Sequence, residues 1–85
     1  MRIGSAGTLE SNDALVTVRE GVGVVVEIDS IVDVFFHDRI DAAVRSALAE
    51  LEATDVRVTV QDKGALDCTL RARTKTALKR MEGSM

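Results

Sequence analysis

Alternation of apolar and polar residues with a period of two is the pattern that most restricts what this chain can fold into. In residues 14–19, for example, Ala14, Val16 and Val18 fall on one face. Such alternation predicts strands that are buried on one face and solvated on the other. The pattern occurs in four runs, at residues 14–19, 24–29, 55–61 and 66–73.

Short glycine-containing segments separate these runs in two pairs. Glu20 to Gly23 lies between the first two runs, and Asp62-Lys63-Gly64 lies between the last two. An Asp-x-Gly sequence suits a tight turn in which the glycine adopts a positive φ. The spacing therefore predicts two β-hairpins. Leu66 and Leu70 taken alone also fit a helix.

Two other segments have the spacing of an amphipathic helix. Residues 38–53 are predicted to form the main helix, with Asp38 as its N-cap and Asp41 adding negative charge to its first turn. A second helix is predicted from Thr74. The apolar positions that support the two helices are Ile40, Val44, Ala47, Leu48 and Leu51 in the first and Ala77, Leu78 and Met81 in the second.

Together these elements predict an α+β domain of order ββαββα. We expect a four-stranded antiparallel sheet with both helices packed on one face. With 85 residues, the chain is expected to form a single domain over residues 1–85, with residues 1–13 as an N-terminal arm and loop. The segment from Ser30 to His37 is too apolar for a solvated loop. We expect it to be an irregular crossing that plugs one end of the core.

Composition argues against two classes of partner. The net charge is −3, and the chain has no Trp or Tyr and only two Phe, so a basic surface with stacking aromatics for nucleic acid is not expected. No apolar run approaches the roughly 20 residues of a membrane span. The first residues lack a signal-peptide pattern, and one cysteine cannot form an internal disulfide. These features favour a cytoplasmic protein.

No combination of residues predicts catalysis or a metal site. Cys68 shares its alternating face with Leu66 and Leu70, so it is expected to be buried and inert. One His and one Cys do not make a zinc site, and His37 is expected to be a cap or surface residue near the helix start. Glu10 and Asp13 are better interpreted as solvated loop residues than as paired catalytic carboxylates.

The stretch from Gly7 to Asp13 is small and polar, with Leu9 as an apolar plug, and it predicts an ordered loop. No histidine, lysine or cysteine is near enough in sequence to activate Ser11 as a nucleophile. We therefore interpret the Ser11 hydroxyl as an attachment point.

Arg71 and Arg73 are predicted to lie with Asp67 on the polar face of the last strand. Two interpretations stay open. The three residues form either a surface charge ladder or a docking patch for a partner protein or an anionic prosthetic group.

Two stretches resemble the acyl carrier subunit, or gamma chain, of citrate lyase. They are Gly7-Thr8-Leu9-Glu10-Ser11 and the long segment from Asp62 to Arg73, Asp-Lys-Gly-Ala-Leu-Asp-Cys-Thr-Leu-Arg-Ala-Arg. The resemblance implies a non-catalytic carrier. In that family the serine, here Ser11, holds 2'-(5''-phosphoribosyl)-3'-dephospho-CoA through a phosphodiester, and the thiol of this group holds an acetyl unit.

The resemblance also implies partners. These are the alpha subunit, a transferase that exchanges acetyl for citryl, the beta subunit, a metal-dependent lyase that splits the citryl thioester, and a transferase that attaches the prosthetic group. Three alternatives stay open: the carrier subunit of a malonate decarboxylase, an unmodified α/β interaction module, and a phosphopantetheine carrier at Ser30. The last rests on Asp29-Ser30-Ile31, which resembles the attachment motif of ordinary acyl carrier proteins.

Overall fold

The strands of the sheet do not lie side by side in their order along the chain. The computed structural model describes residues 2–31 and 34–84, and in these the sheet has the spatial order β1-β2-β4-β3. Strand β4 pairs antiparallel with β2 and parallel with β3, and β1 pairs antiparallel with β2. The strands are β1 (Ile3–Ala6), β2 (Ala14–Glu20), β3 (Val24–Ser30) and β4 (Val56–Asp62).

Two helices complete the fold, α1 (His37–Glu50) and α2 (Asp67–Glu82). The α+β class, two helices and four strands are confirmed. The purely antiparallel sheet and the order ββαββα are wrong, because the sheet is mixed and the elements follow the order β1-β2-β3-α1-β4-α2. Helix α1 joins the parallel strands β3 and β4. Parallel strands require a long crossover of this kind, whereas antiparallel strands can be joined by a short hairpin turn.

The first predicted hairpin is wrong because β4 lies between β2 and β3. The turn at residues 21–23 bonds to the start of β4 instead of closing a hairpin. The Gly21 N–H donates to the Asp55 carbonyl at 3.1 Å, and the Val56 N–H donates to the Gly23 carbonyl at 3.0 Å. Central strands bury more apolar surface than edge strands. This favours β4 in the middle, where Val56, Val58 and Val60 are all buried, whereas the inward residues of β3 are half-buried.

The second predicted hairpin is also wrong, because the fourth alternating run leads into α2. Leu66 is the residue before the helix, and the helix includes Cys68, which is exposed and not buried as predicted. Acidic Asp67 in the first turn and basic Lys79 and Arg80 in the last turn complement the helix dipole. The buried face has helical spacing: Leu70, Thr74, Ala77, Leu78 and Met81.

The predicted arm contains a strand. Strand β1 pairs with β2 along its whole length, with Gly4 opposite Val18 and Ala6 opposite Val16. Gly4 allows α2 to lie directly against β1, because a Cβ at this position would stand 2.2 Å from both the Ala77 carbonyl oxygen and the Met81 nitrogen. Small residues on β1 thus allow the helix to cover the edge of the sheet.

Helix α1 lies close to its prediction but begins differently. Its N-cap is Phe36, without a side-chain cap bond, so Asp38 is a first-turn residue and not the cap. Asp41 instead pairs with Arg45 one turn later, and Leu51 is the C-cap. The core lies between one face of the sheet and the two helices, which pack against each other. No helix in the described residues is long and apolar enough to cross a membrane.

In its described residues, the crossing before α1 does not plug the core as predicted. Residues Val34–Phe36 form one 3₁₀ turn, and none of them is buried. Ile31, before this turn, and Phe35, within it, are both exposed. Val32, which belongs to the same predicted plug, lies outside the described residues.

Candidate functional site

The Ser11 loop (residues 7–13) joins β1 to β2 and lies at the end of the sheet where β4 finishes. Its backbone continues the β2–β4 pairing beyond the last strand residues. The Asn12 N–H donates to the Lys63 carbonyl at 2.8 Å, and the Lys63 N–H donates to the Asp13 carbonyl at 2.9 Å. The loop is therefore fixed to the turn after β4, so Ser11 is held at a defined place.

Ser11 lies at the outermost turn of this loop and is exposed. Its hydroxyl makes no hydrogen bond to any residue that the structure describes. The next residue, Asn12, has φ of 65°, a left-handed conformation that asparagine tolerates better than most residues. The local turn thus leaves the hydroxyl accessible from solvent. Leu9 is exposed as well, so the prediction that it plugs the loop is wrong.

Gly7 closes the loop where β1 ends. Its φ is +100°, and a Cβ there would stand 1.8 Å from the Ala14 carbonyl oxygen. A side chain would meet both an unfavourable dihedral and a backbone clash. The chain therefore needs glycine here to bring the two ends of the loop together.

Asp13 anchors the loop to α2. Its carboxylate accepts two hydrogen bonds from Arg73, to Nε at 3.0 Å and to Nη2 at 3.1 Å, and its side chain is only 15% exposed. It also accepts the Thr8 hydroxyl at 2.8 Å and the Ala14 N–H at 2.7 Å. The Arg73 hydrogen bonds, then those from Thr8 and Ala14, lower the pKa of Asp13 from 3.8 to about 2. The carboxylate is therefore ionised throughout the neutral range.

The three residues predicted to form a docking patch are on α2 and not on a strand. Asp67 pairs with Arg39 at 3.2 Å and Arg71 with Glu50 at 3.0 Å, so both face α1. They are four residues apart and share one helix face, whereas Arg73 points to the Ser11 loop. The structure thus separates this group into a pair at the α1–α2 contact and a single anchor.

Ser30, the alternative attachment serine, is in a different environment. It ends β3, and its hydroxyl donates to the Asp62 carboxylate at 2.8 Å. Asp62 is 1% exposed and also accepts the Ala65 N–H at 2.9 Å. The Ser30 hydroxyl is therefore used inside the fold, and it does not open a helix as the serine of ordinary acyl carrier proteins does.

The remaining candidate residues are dispersed. Cys68 is exposed on the first turn of α2, His37 is the first residue of α1, and Glu10 is exposed in the Ser11 loop. Within residues 2–31 and 34–84, no three His, Cys, Asp or Glu side chains are grouped to hold a metal ion. The Gly64 turn has the predicted positive φ, 93°.

Sequence reasoning missed the role of Asp13, which it treated as a solvated loop residue. Its partner Arg73 is 60 positions away, and no local spacing indicates that pairing. It also missed Asp62 as a buried carboxylate. Here a signal existed, because an Asp that begins a turn commonly accepts the N–H of a following residue through its side chain.

Comparison with known proteins identifies acyl carrier proteins as the relatives of this chain. The family model described as malonate decarboxylase delta subunit (MdcD), of the acyl carrier type, matches residues 2–81. A citrate lyase acyl carrier protein of Haemophilus influenzae (strain PittEE) is 48% identical over 79 residues, covering 93% of this chain and 83% of that protein. The proteins of the same name from Streptococcus equi subsp. equi (strain 4047) and Klebsiella pneumoniae (strain ATCC 700721 / MGH 78578) are 42% and 47% identical, over 96% and 88% of this chain and 82% and 79% of their own lengths.

Proposed function

Because the chain belongs to the citrate lyase acyl carrier protein family, we propose that it is the carrier subunit of a citrate lyase, with Ser11 as its attachment residue. The proposal rests on one observation above all: an exposed serine hydroxyl, without a hydrogen-bond partner among the described residues, stands on a loop that the fold holds in place. A carrier needs both properties. A modifying enzyme must reach the oxygen, and the attached arm must start from a fixed point.

The residues at Ser11 fit a covalently attached group of nucleotide size. The loop is exposed at Ser11 and Asn12, and its anchors, Asp13 and Lys63, lie on the side of the fold. We propose phosphoribosyl-dephospho-CoA as the group, joined to the Ser11 oxygen by a phosphodiester. When attached, it supplies the thiol that carries the acyl unit, and the protein supplies position.

This chain's own contribution is then positioning and not catalysis. The Asp13–Arg73 pair holds the loop at a fixed distance from α2, and the Lys63 backbone bonds hold it to β4. With Asn12 and Asp13 held in this way, the adjacent Ser11 keeps its place while the attached arm moves. We propose that the chain acts in the cytoplasm, on acetyl and citryl thioesters, and without chemistry of its own side chains.

The proposed protein partners are the alpha transferase and beta lyase subunits, together with the enzyme that attaches the prosthetic group. Asp67 and Arg71 remain candidates for docking because both are partly exposed. Charged residues of a partner can replace their ion-pair partners on α1, Arg39 and Glu50. For Arg73 we propose a positioning role at the Ser11 loop instead of a docking role.

Intact-mass spectrometry tests the attachment. The chain is co-expressed with the enzymes that make and transfer the prosthetic group, and wild type is compared with Ser11→Ala, Ser30→Ala and Ser46→Ala. Ser46 is an exposed serine on α1 and serves as the control. We expect the adduct mass on every protein except Ser11→Ala. An adduct on Ser11→Ala, or its loss in Ser30→Ala alone, contradicts the assignment, and a lighter phosphopantetheine adduct contradicts the proposed group.

A malonate decarboxylase carrier is the second candidate, and the match to the malonate decarboxylase delta subunit family favours it. The sequence similarity to citrate lyase carriers at 42–48% identity favours the first candidate. Reconstitution distinguishes them. The modified chain is mixed with catalytic subunits of either complex, and release of oxaloacetate from citrate or of carbon dioxide from malonate is measured.

A further inference from the structure

Five large apolar side chains are exposed around the start of α1 and α2, close to the Ser11 end of the sheet. We define the apolar patch as Ile31, Val34, Phe35, Phe36 and Leu66. Their exposed fractions are 69%, 68%, 85%, 45% and 66%. The chain has only two aromatic residues, and both are in this patch. Large apolar side chains that are exposed together at one end of a fold often mark an interaction site.

Backbone bonds connect the patch to the Ser11 loop. The Ile31 N–H donates to the Asp62 carbonyl at 3.4 Å, and the next residue, Lys63, bonds to Asn12 and Asp13. Ser30, Asp62 and Ala14 occupy the same register position across β3, β4 and β2. Adjacent strands are about 4.8 Å apart, so β3 and β2 are separated by about 10 Å at this end.

A second connection runs along the helices. The Arg39 guanidinium lies over the Phe36 ring, 5.4 Å from its centroid, and pairs with Asp67 at 3.2 Å. Leu66 directly precedes Asp67. These contacts place the 3₁₀ turn beside the start of α2, so Phe36 and Leu66 are both close to Arg39.

Two carboxylates border the patch. Asp29 on β3 and Asp38 in the first turn of α1 are exposed, and neither has an ion-pair partner in the described residues. Arg39 is already paired with Asp67, and Lys63 lies nearer the Ser11 loop. The border is therefore negatively charged, and it complements a surface with apolar side chains and flanking Lys or Arg.

This charge selects one occupant among three. A second copy would bring the same carboxylates face to face, which like-charge repulsion opposes. The phosphate-rich prosthetic group would meet the same repulsion. A protein surface with an apolar centre and a basic border has no such penalty. Permanent subunit interfaces are also more apolar than transient ones, and this favours a permanent partner over the modifying enzyme.

We propose that the apolar patch is the surface by which this chain is held on a catalytic subunit of the lyase complex, beside the attachment serine. The inference rests on the proposed carrier function. At this end of the sheet the β3 side, next to Ile31, is two strand spacings or about 10 Å from the start of β2, so a partner bound at the patch is close to the start of the arm. Phe35 is expected to be the central contact, since aromatic residues contribute strongly to interface energetics, and Val34 adjoins it in the 3₁₀ turn.

A pair of valine variants tests the proposal. Val34→Asp changes the patch. Val22→Asp makes the same change at a residue that is 93% exposed, in the turn at the opposite end of β2 and β3. Each chain is co-expressed with the alpha and beta subunits, and the amount co-purifying is measured. We expect at least about a tenfold loss for Val34→Asp, a similar loss for Phe35→Ala, and none for Val22→Asp. Thermal melting of each variant confirms folding.

Several outcomes overturn the proposal: wild type that does not co-purify with the catalytic subunits, Val34→Asp that co-purifies as wild type does, or equal losses in both valine variants. Wild type that is dimeric and becomes monomeric in Val34→Asp, with assembly retained, assigns the patch to a second copy. If Val34→Asp loses the Ser11 adduct but still assembles with the catalytic subunits, the patch is assigned to the modifying enzyme. Intact mass separates this inference from the proposed function, because assembly through the patch without any adduct on wild type contradicts only the attachment.

Discussion

Two exposed segments at the same end of the sheet are built in opposite ways. The Ser11 loop is polar, and its C-terminal end is fixed twice, by the Arg73 side chain and by the Lys63 backbone. The segment from Ile31 to Phe36 is apolar, yet its described side chains are not buried in the core. Both segments are thus exposed, although one is polar and the other is apolar. The loop is held by this chain itself, whereas we propose that the apolar patch is covered by a partner.

The largest expected effect on the free energy of unfolding is the truncation of a packed apolar side chain. Leu48 on α1 is 2% exposed and lies in the core. We expect Leu48→Ala to lower the free energy of unfolding by about 2–5 kcal/mol, because it removes buried methyl groups and leaves a cavity. Urea denaturation measures the change. A loss near zero would show that this face of α1 is not packed, and the contrast with the apolar patch would disappear.

Gly7→Ala tests whether the Ser11 loop needs its closing glycine. A positive φ and a clash with the Ala14 carbonyl act together, so we expect a loss of about 2–3 kcal/mol in urea denaturation. Gly23→Ala is the matched control. Its φ is +70°, but a Cβ there meets nothing within 4 Å, so only the dihedral cost of about 1 kcal/mol is expected. Equal losses would mean that the close approach at Gly7 is unimportant.

The Asp13–Arg73 anchor makes a pH-dependent contribution. The folded pKa of Asp13, about 2, is below the unfolded value of 3.8, so the anchor stabilises the fold above about pH 4. This contribution is lost as the pH falls from about 4 to about 2. Because Arg73 is 40% exposed and solvent screens the pair, we expect Asp13→Asn to cost about 1–2 kcal/mol at pH 7.

Urea titrations of wild type and Asp13→Asn across pH 2–7 measure this difference. It should shrink toward zero at the acid end. A constant difference would assign the effect of Asp13→Asn to neutral hydrogen bonds, such as the one from Thr8, and not to the charge.

The smallest expected effect is at the apolar patch. Phe35→Ala should change the free energy of unfolding of the isolated chain by less than about 0.5 kcal/mol, because Phe35 is exposed and lies outside the core. Thermal and urea unfolding check this. A loss comparable to that of Leu48→Ala would show that the segment from Ile31 to Phe36 packs in the folded chain, and the comparison between the two segments would fail.

Local patterns predicted the elements whose periodicity is long and regular. Strand β2, the helical face of α1 and the end of α2 are where the spacing placed them, since burial of one face imposes the same period on any fold that contains them. The exposed Ser11 loop also followed from its small polar residues. The segment that begins at Leu66 was ambiguous. Its apolar residues at alternate positions fit a strand, but Leu66 and Leu70 are four residues apart and also fit one face of a helix.

The sequence by itself determined one covered sheet face, two helices and a serine on an outer loop, because these depend on residue spacing within short segments. Only the tertiary structure decided that β4 lies between β2 and β3, that β1 completes the sheet, and that Arg73 holds Asp13. These features join residues distant along the chain, and strand order depends on which strand buries most apolar surface between two neighbours. The exposure of Phe35 belongs with them, because an apolar residue is buried only where the fold brings another surface against it.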